Sequence, residues 1–142
     1  MSNVRATIGV SVLSGLILSV VLVWTSAVPA QAQTAEDVDE CQAEIAQVRV
    51  LLSDTTNPDY VDSFTNEKDR TGLIGKLDSA STKLSQGKTQ DALANLTSVR
   101  DKVNTLVAQG KLDQADANVL LVEINEAIGC VEELQAQTPT AA

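Results

Sequence analysis

Residues 73–96 read Leu73-Ile-Gly-Lys-Leu77-Asp-Ser-Ala80-Ser-Thr-Lys-Leu84-Ser-Gln-Gly87-Lys-Thr89-Gln-Asp-Ala92-Leu-Ala-Asn-Leu96. Before Gly87, the apolar positions Leu73, Ile74, Leu77, Ala80 and Leu84 recur at helical spacing, with Ser81 on the same face. After it, Ala92 and Leu96 resume the same period. Gly87 between the two stripes is a helix stop, because glycine enters the left-handed conformation that ends a helix without a Cβ clash. Thr89 is the expected cap of the next helix, with Gln90 and Asp91 in its first turn. The stretch predicts two helices joined by a tight turn and running antiparallel.

The same period extends outward in both directions. Toward the C-terminus the third helix carries Val99, Val103, Leu106 and Val107 and stops at Gly110. Leu112 and the expected cap Asp113 then precede a fourth, with Ala117, Leu120, Leu121, Ile124, Ala127, Ile128, Val131 and Leu134 on its apolar face. Toward the N-terminus the second helix begins near Asn66 and ends near Gln86. Gly72 and Gly75 weaken its start, so its first turns are expected to fray. A first helix spans about Glu36 to Ser53, with Val38, Cys41, Ile45, Val48 and Leu52 in one stripe. No stretch alternates with period two, so the chain is expected to be all-α. Asn57-Pro58 forbids a continuous helix through residues 54–65. Tyr60, Val61 and Phe64 in this loop are expected to fold back onto the helices, with Phe64 near the start of the second.

The N-terminal 32 residues have a different composition. Arg5 is the only charge before Glu36, and an apolar run from Ile8 to Trp24 leads to Ala30-Gln31-Ala32. A positive start, an apolar middle and a small-x-small exit read as a secretory signal peptide, residues 1–32, expected to be cleaved after Ala32, the alternative being an uncleaved anchor helix of about 17 apolar residues. The domain expected after cleavage is residues 33–134, and 135–142 read as a flexible tail. Export places Cys41 and Cys130, the only two cysteines, where thiols pair.

That pairing fixes the topology. Cys41 lies about one turn into the first helix and Cys130 about one turn before the end of the fourth. In an up-down-up-down bundle both are then near the same rim, within the roughly 7 Å that a disulfide spans between Cα atoms. A second helix parallel to the first would put them at opposite rims. The expected fold is therefore an antiparallel up-down-up-down four-helix bundle with its first and last helices tied by Cys41–Cys130.

The chemistry offered is sparse. The chain has no His among its 142 residues, so no Ser-His or Cys-His pair can activate a nucleophile. No Gly-rich phosphate loop is present, and no cofactor is expected. The formal net charge of −9 disfavours nucleic acid and anionic membrane surfaces. Glu36, Asp37, Asp39, Glu40 and Glu44 crowd the start of the first helix, where they suit the helix dipole. Asp54, Asn57, Asp59 and Asp62 offer oxygen ligands in the loop, but their spacing is not that of a calcium-binding EF-hand loop. No metal site is therefore assigned, Asp54, Asp59 and Asp62 being weak candidates. Asn95-Leu96-Thr97 has the glycosylation pattern but lies mid-helix beside a core residue.

Residues 73–128 also resemble the FIMAH domain. The resemblance is carried by Leu73 to Ala80, Leu84 to Lys88, Ala92 to Leu96, Val103, Gly110-Lys111-Leu112, Ala115 and Leu120-Leu121. It implies a helical, non-catalytic accessory module of secreted bacterial hydrolases and surface proteins. The chain departs from the family where Ser98-Val99 stands in place of Phe-Ile, and no catalytic domain accompanies the module. The shared positions are structural and carry no site residues with them. The functional expectation is a secreted, non-enzymatic, monomeric binding module of the envelope or extracellular space. Its partner would be an unknown protein or envelope polymer, met around Tyr60 and Phe64. The alternatives are a small-ligand or calcium carrier and a self-associating structural protein.

Overall fold

The computed structural model describes residues 35–137. The expected signal peptide and the last five residues of the expected tail lie outside them. Four helices follow one another: α1 (Ala35–Ser53), α2 (Glu67–Ser85), α3 (Thr89–Ala108) and α4 (Gln114–Gln137). Each packs on its chain neighbours and α1 closes on α4, while the diagonal pairs do not approach. Cross-links between early and late residues show the helices alternating in direction. Gln42 of α1 donates to the Ser81 carbonyl of α2 at 3.3 Å. Lys102 late in α3 pairs with Asp69 early in α2 at 2.9 Å. Cys41 and Cys130 are bonded with their Cα atoms 5.5 Å apart, so α1 and α4 share a rim and the bundle is up-down-up-down.

The core is built from the expected stripes. Ile45, Val48, Leu52, Leu73, Leu77, Leu84, Leu96, Leu106, Leu120, Ile124 and Leu134 are at most 2% exposed. Leu51 joins the α1 face, whereas Val38, Ile74, Val107 and Leu121 flank the core partly buried. The positions at the edge of each stripe meet solvent because a helix in a four-membered ring shows only part of its surface to the centre. Among the described residues no aromatic ring enters the core, and Phe64 packs against it from the side.

Both tight turns end in glycine with a left-handed backbone, Gly87 at φ 71° and Gly110 at φ 64°. In each, the residue after the glycine donates to a carbonyl five residues back, Lys88 to Lys83 and Lys111 to Leu106, at 2.9 and 2.8 Å. These are Schellman closures, and they consume the carbonyls left open at the helix ends.

The start of α3 differs from expectation. Lys88 occupies the cap position without a side-chain cap bond, and Thr89 is the first helical residue. The Schellman turn delivers the chain directly into α3, so the Lys88 carbonyl already accepts from Ala92 N–H at 3.0 Å. Thr89 turns inward and is only 9% exposed.

The expected fraying of residues 66–72 is also overturned, since α2 is continuous from Glu67. Three contacts hold that first turn. Asn66 caps it through Lys68 N–H at 2.9 Å. Asp69 is pinned by Lys102, and Glu67 pairs with Arg70 at 3.0 Å. At the other end, α4 continues to Gln137, so residues 135–137 are helical where a tail was expected.

The loop from 54 to 66 closes the end of the bundle opposite the disulfide. Val61 is 1% exposed and donates to the Leu51 carbonyl at 2.9 Å. Ser63 bridges to the α3–α4 turn, its N–H donating to Asp116 at 3.2 Å and its hydroxyl accepting from Asp113 N–H at 3.1 Å. Thr65 N–H donates to Lys111 at 3.0 Å. The fold-back expected from Tyr60, Val61 and Phe64 is present.

Candidate functional site

At the loop end, Arg70 of α2 lies between two rings. Its guanidinium carbon is 5.0 Å from the centre of Tyr60 and 5.3 Å from that of Phe64. It also donates to the Tyr60 hydroxyl and, at 3.2 Å, to the Val61 carbonyl. The two aromatics singled out as partner contacts are half-buried, with Arg70 against both rings. A planar, weakly hydrated guanidinium suits this position where an ammonium would not. The arrangement ties the loop to α2.

The loop acids do not converge. Asp54 accepts from the Thr56 hydroxyl and N–H at 2.6 and 2.9 Å, and these bonds hold its carboxyl below the usual range. Asn57 accepts from Asp59 N–H at 2.9 Å. Asp54 and Asn57 thus serve the turns of their own loop, and Asp62 is exposed to solvent. Among the described residues, the acids whose ligand atoms gather within 4.8 Å of one another are Glu44, Glu123 and Glu126.

These three belong to the seam between α1 and α4. One flank of α1 and Glu123 of α4 enclose a groove of about 400 Å³, lined by Ala43, Ala46, Gln47, Val50, Leu51 and the loop residues Asn57 and Asp59. The floor is small and apolar and the walls carry carboxylates. Oε2 of Glu123 is buried and has no hydrogen-bond partner. Burial, with Glu126, Glu44 and Asp59 nearby, pushes the Glu123 carboxyl above its ordinary value. Toward the disulfide rim a second recess of about 350 Å³ is lined by Glu40, Glu44, Glu126, Gly129, Cys130 and Glu133. The exposed large apolar residues Val50, Val119 and Val122 lie on the same two helices, at 38%, 40% and 56% exposure.

Charge is divided between the two halves of the bundle. α4 has Asp116, Glu123, Glu126, Glu132 and Glu133 and no Lys or Arg. α1 has five acids against Arg49, which pairs with Asp78 of α2 at 3.0 Å. Residues 67–111, which build α2, α3 and the turns beside them, carry eight Lys and Arg against five Asp and Glu. The negative excess of the molecule is therefore concentrated on α1, α4 and the loop. Among the described residues no helix is long and apolar enough to cross a membrane.

No family model matches the chain, and no curated protein or solved structure is significantly similar to it. The FIMAH resemblance expected for residues 73–128 thus finds no support in these comparisons; of the positions that carry it, Leu73, Leu77, Leu84 and Leu96 are core and Gly87 and Gly110 are turn positions, whereas Lys76 and Ala115 are exposed.

Sequence reasoning missed Arg70 and the pair Glu123 and Glu126. Nothing local marks Arg70, whose partners are brought to it by the loop. The absence of any base from α4 was countable in the sequence, and set beside the acidic α1 it would have drawn attention to this face.

Proposed function

We propose that this chain is a secreted, non-catalytic binding or accessory module that meets its partner through the α1–α4 face. The observation that carries the reading is the groove of small apolar residues lined also by Glu123 and Asp59, with Glu44 and Glu126 close to Glu123 in the adjoining recess. The core side chains are buried and apolar, and the groove lies beside them at the surface. A disulfide suits an oxidising compartment, in keeping with the signal peptide expected from residues 1–32. An accessory role is also what the FIMAH resemblance implies. In this reading Tyr60 and Phe64 hold the loop through Arg70, and the partner binds along the neighbouring seam.

The test is retention on the immobilised full chain of material from culture supernatant and cell-wall fractions. Replacing Glu44, Glu123 and Glu126 together by Gln should abolish that retention while leaving the helical circular dichroism intact. Hydrolysis of an envelope polymer by the purified protein would overturn the non-catalytic reading. A calcium carrier is the second reading, favoured by the convergence of the same three carboxylates. It requires heat and a rise in melting temperature at millimolar calcium, and neither is expected.

A further inference from the structure

We infer that the α1–α4 groove takes a cationic, amphipathic segment of a partner polypeptide, one Lys or Arg side chain meeting Glu123 while an adjacent apolar side chain covers Val50. The inference rests on the binding-module reading above and names the chemistry of its partner.

Charge complementarity argues for a cation. Glu123 and Asp59 wall the groove, and Glu44 and Glu126 lie beside Glu123. No base on α1 or α4 competes for them, because Arg49 is turned to Asp78 and α4 has none. Oε2 of Glu123 is buried without a partner, an arrangement that ordinarily costs stability and that an incoming donor would relieve. Such a donor would also draw the raised Glu123 carboxyl back toward its ionised form.

The groove floor argues for a polypeptide over a bare polycation. Ala43, Ala46, Val50 and Leu51 form the apolar part of the lining. Val119 and Val122 extend apolar surface along α4, within one turn of Glu123. A partner carrying charge alone would leave this surface wet. A segment with apolar and basic residues on adjoining faces would cover both, as in the docking of a helix into a groove. Anionic polymers are repelled by the same walls.

The test uses the full chain and an 18-residue amphipathic peptide of Leu and Lys, titrated by calorimetry at low and high salt. Oligolysine of equal charge is the comparison. One saturable site is expected, weakened by salt as exposed ion pairs are. Glu123→Gln should lower affinity about tenfold, the loss of one charge-assisted contact. Val50→Asp should also weaken binding. Glu132→Gln removes the same charge from the opposite flank of α4, nine residues further on, and should change affinity less than about twofold. Equal losses from Glu123→Gln and Glu132→Gln would overturn the inference, since the attraction would then be diffuse. So would oligolysine binding as tightly as the amphipathic peptide. Displacement of the peptide by calcium with a one-to-one stoichiometry would reassign the groove to an ion. Concentration-dependent sedimentation that Glu123→Gln and Val50→Asp abolish, with no peptide bound, would reassign it to a second copy. If the peptide fails to bind while envelope material is still retained through Glu44, Glu123 and Glu126, the partner chemistry is wrong and the binding-module reading stands.

Discussion

Reducing the Cys41–Cys130 bond should lower the melting temperature of the bundle by about 20 °C. The bond joins residues 89 apart in sequence, so it closes nearly the whole folded chain into one ring. In the chain-entropy treatment, a ring of that size costs the unfolded chain ~15 cal/mol/K, or about 4.6 kcal/mol at 25 °C. Unfolding releases about 2 cal/mol/K per residue, which for a domain of ~100 residues makes 1 kcal/mol worth about 5 °C. The same 4.6 kcal/mol is a large share of the ~5–15 kcal/mol that holds such a domain together. Among the described residues the core has no aromatic to add reserve. The assay is thermal unfolding followed by circular dichroism, with and without reductant. The double variant Cys41→Ala, Cys130→Ala should melt with the reduced protein and ignore reductant. Alanine is the appropriate replacement because Cys41 is fully buried among apolar neighbours, where a serine hydroxyl would add its own penalty. Oxidised and reduced samples melting within about 5 °C of each other would refute the argument. So would two free thiols found by mass spectrometry in untreated protein.

Three further outcomes follow from the geometry. Gly72→Ala and Gly75→Ala should each stabilise the protein by about 0.5–1 kcal/mol in chemical denaturation, because both glycines sit inside a continuous helix where an added Cβ meets nothing within 4 Å. Arg70→Ala should cost about 2 kcal/mol through the loss of two ring contacts and the packing of the side chain stem, and should open residues 54–66 to limited proteolysis before the helices are cut. Glu123→Gln should raise the melting temperature at neutral pH. The Glu123 carboxyl is raised in the folded state, so its contribution favours folding at acid pH and is lost as pH rises through that raised value. The variant should therefore gain on the wild type at pH 7 and converge with it at pH 4, and an equal gain at both would show that titration is not the cause.

The four helices, their two glycine stops and the residues that fill the core were legible in the sequence because each is a local matter. A stripe at Leu73, Leu77, Ala80 and Leu84 needs only the helical period to be read, and Gly87 needs only its freedom to turn left-handed. The disulfide could be reasoned through as well, because two cysteines leave one pairing and that pairing admits one order of helices. The tertiary structure decided what depends on neighbours distant in the chain. Thr89 lost its role as a cap because the preceding turn already supplied the first carbonyl of α3. The start of α2, weak by its own composition, was held by Lys102 from α3 and by Arg70 reaching the loop. Glu44 and Glu123 stand far apart in sequence and meet because antiparallel helices bring the middle of α4 against the middle of α1. Periodicity tells each helix which side faces inward, but only the packing of one helix on another tells which outward-facing charges share a groove.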